Sequence, residues 1–147
     1  MGVAIHLYTS FRKMEAKSII RIAAISGAAA VAIGAFGAHG LESMAEAGKV
    51  AADDLSTFDT AVRYQFYHTF ALLATGLLAA QMHGKHARNA TMAFLTGICI
   101  FSGSLYLLTL SEWLFGTRMS WLGAITPLGG LSFIVGWIML LLGNKKR

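Results

Sequence analysis

Charge is the first thing this chain lacks. Only 13% of its 147 residues are Asp, Glu, Lys or Arg, against roughly 25% in soluble domains. Too few charges are present to cover a globular surface in water, which points to a membrane class. Cysteine is almost absent as well. Cys99 stands alone in an apolar run, so no internal disulfide can form and the redox compartment is not readable. Proline occurs once, at Pro127, so little interrupts helical segments. No Ser/His/Asp order, phosphate-cradling glycine loop or HExxH pattern occurs. No catalytic residue is assigned on that basis, an enzyme is the least favoured class, and the cofactor is unknown. Two intramembrane histidines are too few for a catalytic zinc, which takes three protein ligands and an open position. The net charge of +5 does not indicate nucleic acid, because the basic residues lie in short segments between apolar runs, where they set topology.

What the chain does have is apolar length, with 56% of residues hydrophobic. A spanning helix needs about 20 mostly apolar residues. Four segments qualify: 19–39, 61–82, 90–110 and 121–143. In hydrocarbon every backbone N–H and C=O must be paired within the segment, so each is expected as a helix. The expected fold is an all-α, four-helix transmembrane bundle over residues 18–143. Residues 1–17 form an N-terminal tail and residues 144–147 a basic C-terminal tail.

Charge orients the bundle. With both termini cytoplasmic, Arg12, Lys13, Lys17, Arg21, Lys85, Arg88, Lys145, Lys146 and Arg147 lie inside, nine of the twelve basic residues. Lys49, Arg63 and Arg118 lie outside. The positive-inside rule counts Lys and Arg and favours this arrangement. Trp113 and Trp121 flank the outer ends of the third and fourth helices, where interfacial anchors belong. An alternative is a cleaved signal peptide, with "AFGA" as a small-residue cleavage site. Ile22 to Ala38 is 17 residues without a charge, longer than the usual ~7–15-residue apolar region of a signal peptide, so a retained span is expected.

Lipid tails are as apolar as Leu, so burial alone does not join spans; small residues that let backbones approach do. Ser26, Ala30, Gly34 and Ala38 recur every four residues on the first helix, Ala71, Thr75 and Ala79 on the second, and Gly129, Ser132 and Gly136 occur on the fourth. These seams serve within the bundle, in a homo-oligomer, or against another membrane protein. Ser56-Thr57-Phe58-Asp59 fits a capping box, which would start the second helix there. Asp59 and Arg63, four apart, can pair. Leu41, Met44 and Ala45 suggest a short helix in the preceding loop, ended by Gly48.

With this orientation the polar residues gather in the outer half of the membrane. They are His39 at the end of the first helix, Tyr64, Gln65 and His68 on the second, Ser102, Ser104 and Tyr106 on the third, and Thr126 with Pro127 on the fourth. Polar groups at such depth face the bundle interior or a wet cavity. Ser104 is expected to bond back to its own helix. Two readings are open. In one, His39, Tyr64, Gln65, His68, Ser102, Tyr106 and Thr126 form an outer-leaflet site that binds or transports a small molecule or handles protons, with His39 at the level of Gln65 and His68. In the other, they are interhelical glue in a protein that assembles with another membrane protein.

"GAFGAHGL", "FDTAVRYQFYH", "FSGSLYLL" and "ITPLGG…GW" resemble the signatures of the bacterial YgdD/YwdK family of small inner-membrane proteins, which carry a domain of unknown function and have small mitochondrial relatives. The resemblance runs from about Ile20 to the C-terminus and leaves out residues 1–17. It implies a four-helix, multi-pass protein of the bacterial inner membrane; it implies no activity, and its motifs fall on the same polar residues.

Overall fold

The computed structural model describes the backbone of residues 2–83 and 85–143, and side chains from Ala16 onward. The basic tail 144–147 and the side chains of Arg12 and Lys13 lie outside the described residues. Among the described residues every regular element is helical, in four long rods. The first rod is α1 (Gly2–Phe36), a wide turn of π geometry over Gly37–Leu41, and short α2 (Glu42–Glu46). It takes in residues 2–17, expected from the sequence as a tail, together with the first apolar segment. The second rod is α3 (Ala52–Leu78). The third is α4 (His86–Gly97), a second wide turn at Ile98–Ser102, and α5 (Gly103–Phe115). The fourth is α6 (Trp121–Gly143), with Pro127 inside it. Three of the rods are long and apolar enough to cross a membrane: Ala16–Glu46, His86–Phe115 and Trp121–Gly143.

α3 is the less apolar rod, and its place in the bundle explains why. It packs against α1 on one side and against α4 and α5 on the other, while α6 packs on α4, α5 and the turn between them. A helix covered on two sides needs fewer lipid-compatible residues. α1 and α3 run antiparallel in close contact along their length, through Ile20 with Gly76, Ser26 with Thr69, Gly34 with Val62 and Gly37 with Phe58. The main core joins all four rods through Ala23, Ala71, Leu72, Ala90, Phe94 and Phe133. Outward, Ile25, Val31, Phe70, Leu77, Leu131 and Leu141 are each more than half exposed. Contiguous apolar faces of that extent are foreign to monomers in water and suit acyl chains.

The small-residue stripe of α1 changes phase partway along. Ala30 is fully buried and Gly34 lies against Val62. Ala38 is exposed, because a wide turn holds an extra residue and rotates the chain beyond it. Gly37 takes the position against Phe58, and Leu41 turns fully inward.

The start of α3 corrects a sequence reading. The helix begins at Ala52, so Ser56 is inside it and does not cap it; the Ser56 hydroxyl donates to the Asp53 carbonyl at 2.9 Å. Asp53 and Asp54 occupy the first turn, where the helix dipole favours acids. Asp54, 3% exposed, accepts two hydrogen bonds from Arg118 of the α5–α6 loop, at 2.8 and 2.7 Å. The hydrogen bonds and charge of Asp54 raise the Arg118 pKa, so the guanidinium stays charged throughout the physiological range. The same loop is held by the Met119 N–H donating to Ser111 Oγ. Arg63 pairs with Asp59 as its spacing suggests. Short α2 forms after Leu41, and Gly48 comes after it at φ 68°, a left-handed conformation suited to glycine.

Candidate functional site

The polar residues of α3 fall on different faces of the helix, and the site divides accordingly. On the α1 and α5 sides, Gln65 is the hub. Its Oε1 accepts from the Tyr106 hydroxyl at 2.9 Å, and its Nε2 donates to the Ser26 carbonyl at 3.1 Å. Ser26 Oγ in turn shares a hydrogen bond of 2.6 Å with Thr69 Oγ1. One chain of bonds thus links α1, α3 and α5. Interhelical bonds of this sort contribute about 0.6–2 kcal/mol each in a membrane. Ser102 donates to the Ala61 carbonyl at 2.8 Å, pinning the second wide turn to α3. Ser104 bonds back to the Phe101 carbonyl at 3.0 Å, as expected, and also bonds Thr126 of α6 at 2.8 Å. Among the described residues no sealed side-chain nitrogen or oxygen lacks a hydrogen-bond partner.

His68 faces another way. It borders a groove of about 600 Å³ that also involves Tyr64, Phe101, Pro127, Phe133 and Trp137. The imidazole stacks on Phe133 with ring centres 3.3 Å apart and planes 6° apart. Tyr64 stacks on Phe101 at 4.4 Å, and Trp137 stands edge-on to His68 at 6.4 Å. Two local irregularities shape the groove. The wide turn at Ile98–Ser102 sets Phe101 against α6. Pro127 has no N–H to give the Gly123 carbonyl, which removes one rung of α6 beside the site.

The ring's tautomer is set by its one bond. His68 Nδ1 lies 2.8 Å from the Tyr64 carbonyl oxygen. A carbonyl only accepts, so in the neutral imidazole Nδ1 carries the proton and Nε2 keeps a lone pair. Nε2 has no hydrogen-bond partner among the described residues, and no such atom is sealed. The atom is therefore not sealed, although the residue is only 6% exposed, and the ring lines the groove.

The bundle separates His39 from His68. His39 is exposed on the first wide turn, where its carbonyl accepts from the Ser43 hydroxyl at 2.8 Å. The α1–α3 register sets it opposite the start of α3, about 16 Å along the axis from His68 at 1.5 Å per residue. It is not at the level of Gln65 and His68. A smaller cavity of about 250 Å³ near this end is bordered by Gly37, Leu41, Phe58 and Asp59, without His39. Of the other sequence candidates, Gln65 and Tyr106 meet, Thr126 meets Ser104, Ser102 reaches α3, and Tyr64 joins His68 at the groove. Sequence reasoning passed over Phe101, Phe133 and Trp137 as groove walls. The four-residue spacing of Phe133 and Trp137 was a usable signal for a shared face. The Asp54–Arg118 clamp left no signal, since its partners are 64 residues apart. Among the described residues no three His, Cys, Asp or Glu side chains gather as a metal would require.

Helical rods that expose apolar faces and turn their polar groups on one another define an integral membrane protein. The chain belongs to the family described as "Protein of unknown function (DUF423)", whose pattern matches residues 33–130. It is similar to the UPF0382 membrane protein YwdK of Bacillus subtilis, at 41% identity over 131 residues, covering 88% of this chain and 98% of the relative. It is also 42% identical to the UPF0382 membrane protein of Haemophilus influenzae, covering 86% of this chain and 93% of that one. A Staphylococcus saprophyticus relative, UPF0382 membrane protein SSP2132, is 42% identical over 130 residues. No solved structure matches the chain.

Proposed function

We propose that the chain crosses the bacterial inner membrane four times with both termini cytoplasmic, and that the His68 groove binds a small amphiphilic molecule drawn from the bilayer. The four-span count is supported by register. α3 lies against α1 from Gly76 at Ile20 to Phe58 at Gly37, so it occupies the same depth as a rod long and apolar enough to span. The orientation is supported by the nine-to-three distribution of Lys and Arg.

One observation carries the binding reading: a ring nitrogen that is unpartnered yet not sealed, on a histidine that lines an aromatic groove. Polar atoms there are costly unless paired, and a bound molecule would complete the pairing. Binding is favoured over passage of protons or solute because Gln65, Tyr106, Ser26 and Thr69 already bond one another across helices. That closed pairing also favours a second reading, in which the protein is an assembly partner of another membrane protein and the polar cluster is glue.

Native mass spectrometry of the protein released from lipid nanodiscs tests this. The expected result is a retained small-molecule adduct that disappears in Ile134→Trp, a substitution at an exposed residue bordering the groove. An adduct indifferent to that change, or none, refutes the binding reading. A second protein at fixed stoichiometry supports the assembly reading.

A further inference from the structure

We propose that the occupant of the His68 groove is a ring-headed amphiphile bearing a hydroxyl donor, a phenol or quinol, whose hydroxyl donates to His68 Nε2. This rests on the binding reading of the groove and narrows it to one chemistry.

A bilayer molecule that enters the groove gains almost nothing for its apolar body, because lipid tails are as apolar as the groove walls. Selectivity must come from groups that acyl chains cannot satisfy. A hydroxyl dissolved in hydrocarbon is one, since it forfeits its hydrogen bond there. The groove offers it an acceptor. Tyr64 O engages Nδ1, which leaves Nε2 of the neutral ring able to accept and unable to donate. A ligand whose head only accepts, such as an ether or ester, finds no donor at that nitrogen.

The walls select the shape of the head. His68, Tyr64, Phe101, Phe133 and Trp137 present aromatic surfaces around one space. The existing pairs among them are both stacked and edge-on, the two arrangements that aromatic rings prefer. A planar ring can join that set; an acyl chain gains no such geometry. The volume of about 600 Å³ holds a substituted ring and the first part of a tail, and the rest of the tail stays in lipid. Binding alone is proposed, with no electron or group transfer.

The test is calorimetric titration of the protein in lipid nanodiscs with a long-chain para-alkylphenol and, separately, with its methyl ether. The two probes share ring, tail and size and differ in the donor. The phenol is expected to bind about two- to tenfold more tightly, the scale of one net hydrogen bond. In His68→Phe, which keeps an aromatic ring and removes the acceptor, the preference is expected to vanish. Ile134→Trp is expected to weaken both probes alike; it keeps the experiment decisive if His68→Phe does not fold, as judged by helical circular dichroism and melting. Equal binding of phenol and ether to the unaltered protein overturns the inference and leaves the groove reading standing. So does a preference that persists in His68→Phe. If neither probe binds, the inference fails; the binding reading then fails with it only when the Ile134-sensitive adduct is also absent.

Discussion

A methyl group added at Gly129 and one added at its neighbour Gly130 should change stability in opposite directions. A Cβ at Gly129 would stand 2.8 Å from Phe101 Cα and nearer still to its backbone nitrogen. Backbone cannot swing aside as a side-chain tip can. Carbon atoms rest at about 3.5–4.0 Å, so α6 and the second wide turn would have to part by roughly 1 Å. That movement also disturbs the Gly136–Phe94 contact and the 2.8 Å bond from Ser132 Oγ to the Ala93 carbonyl. Overpacking of this kind costs about 1–3 kcal/mol. The helix preference of Ala over Gly returns up to about 1 kcal/mol. Gly129→Ala should therefore lose up to about 2 kcal/mol net. At Gly130 the new Cβ would meet the Phe101 ring at 3.9 Å, an ordinary contact. Gly130→Ala should keep the helix-preference gain, up to about 1 kcal/mol. Reversible unfolding in mixed micelles, titrated with a denaturing detergent and monitored by circular dichroism, measures both. If Gly129→Ala is as stable as Gly130→Ala, the close approach of α6 to Phe101 is wrong.

Asp54→Asn should destabilise the protein by about 1–2 kcal/mol, toward the low end for a broken charged pair because Arg118 is part-exposed; melting in detergent would register it, with faster proteolysis of the loop at residues 116–120. A double-mutant cycle with Gln65→Leu and Tyr106→Phe should yield a coupling of about 0.6–2 kcal/mol, and a coupling of zero would mean that their hydrogen bond contributes nothing. A reporter fused to the C-terminus should read out on the cytoplasmic side, and an outside readout would reverse the orientation.

The sequence was most legible where local chemistry decides the outcome. α6 starts at Trp121, where the apolar run begins, because a loop precedes it. The short α2 and the Asp59–Arg63 pair are one- or two-turn features, and they too were readable. The start of α3 was not. Ser56 and Asp59 carry a valid capping pattern, yet the helix extends a further turn to Ala52, where Asp54 meets Arg118 from a distant loop. A local signal lost there to a tertiary bond. The level assigned to His39 failed for a related reason. Counting residues from the end of the first apolar segment ignores how α1 slides along α3 and how a wide turn shifts the phase of everything beyond it.

By itself, then, the sequence determined that this is a bundle of apolar helices made for lipid, with its polar residues concentrated on particular turns. Hydrophobic length and backbone self-pairing are properties of each segment alone. Only the tertiary structure decided which polar atoms find one another. The rotation and register of each rod closed Gln65, Tyr106, Ser26 and Thr69 into a pinned network and placed His68 at an aromatic groove with one nitrogen unpaired. Those outcomes depend on contacts between residues about forty positions apart, and no pattern within a single helix encodes them.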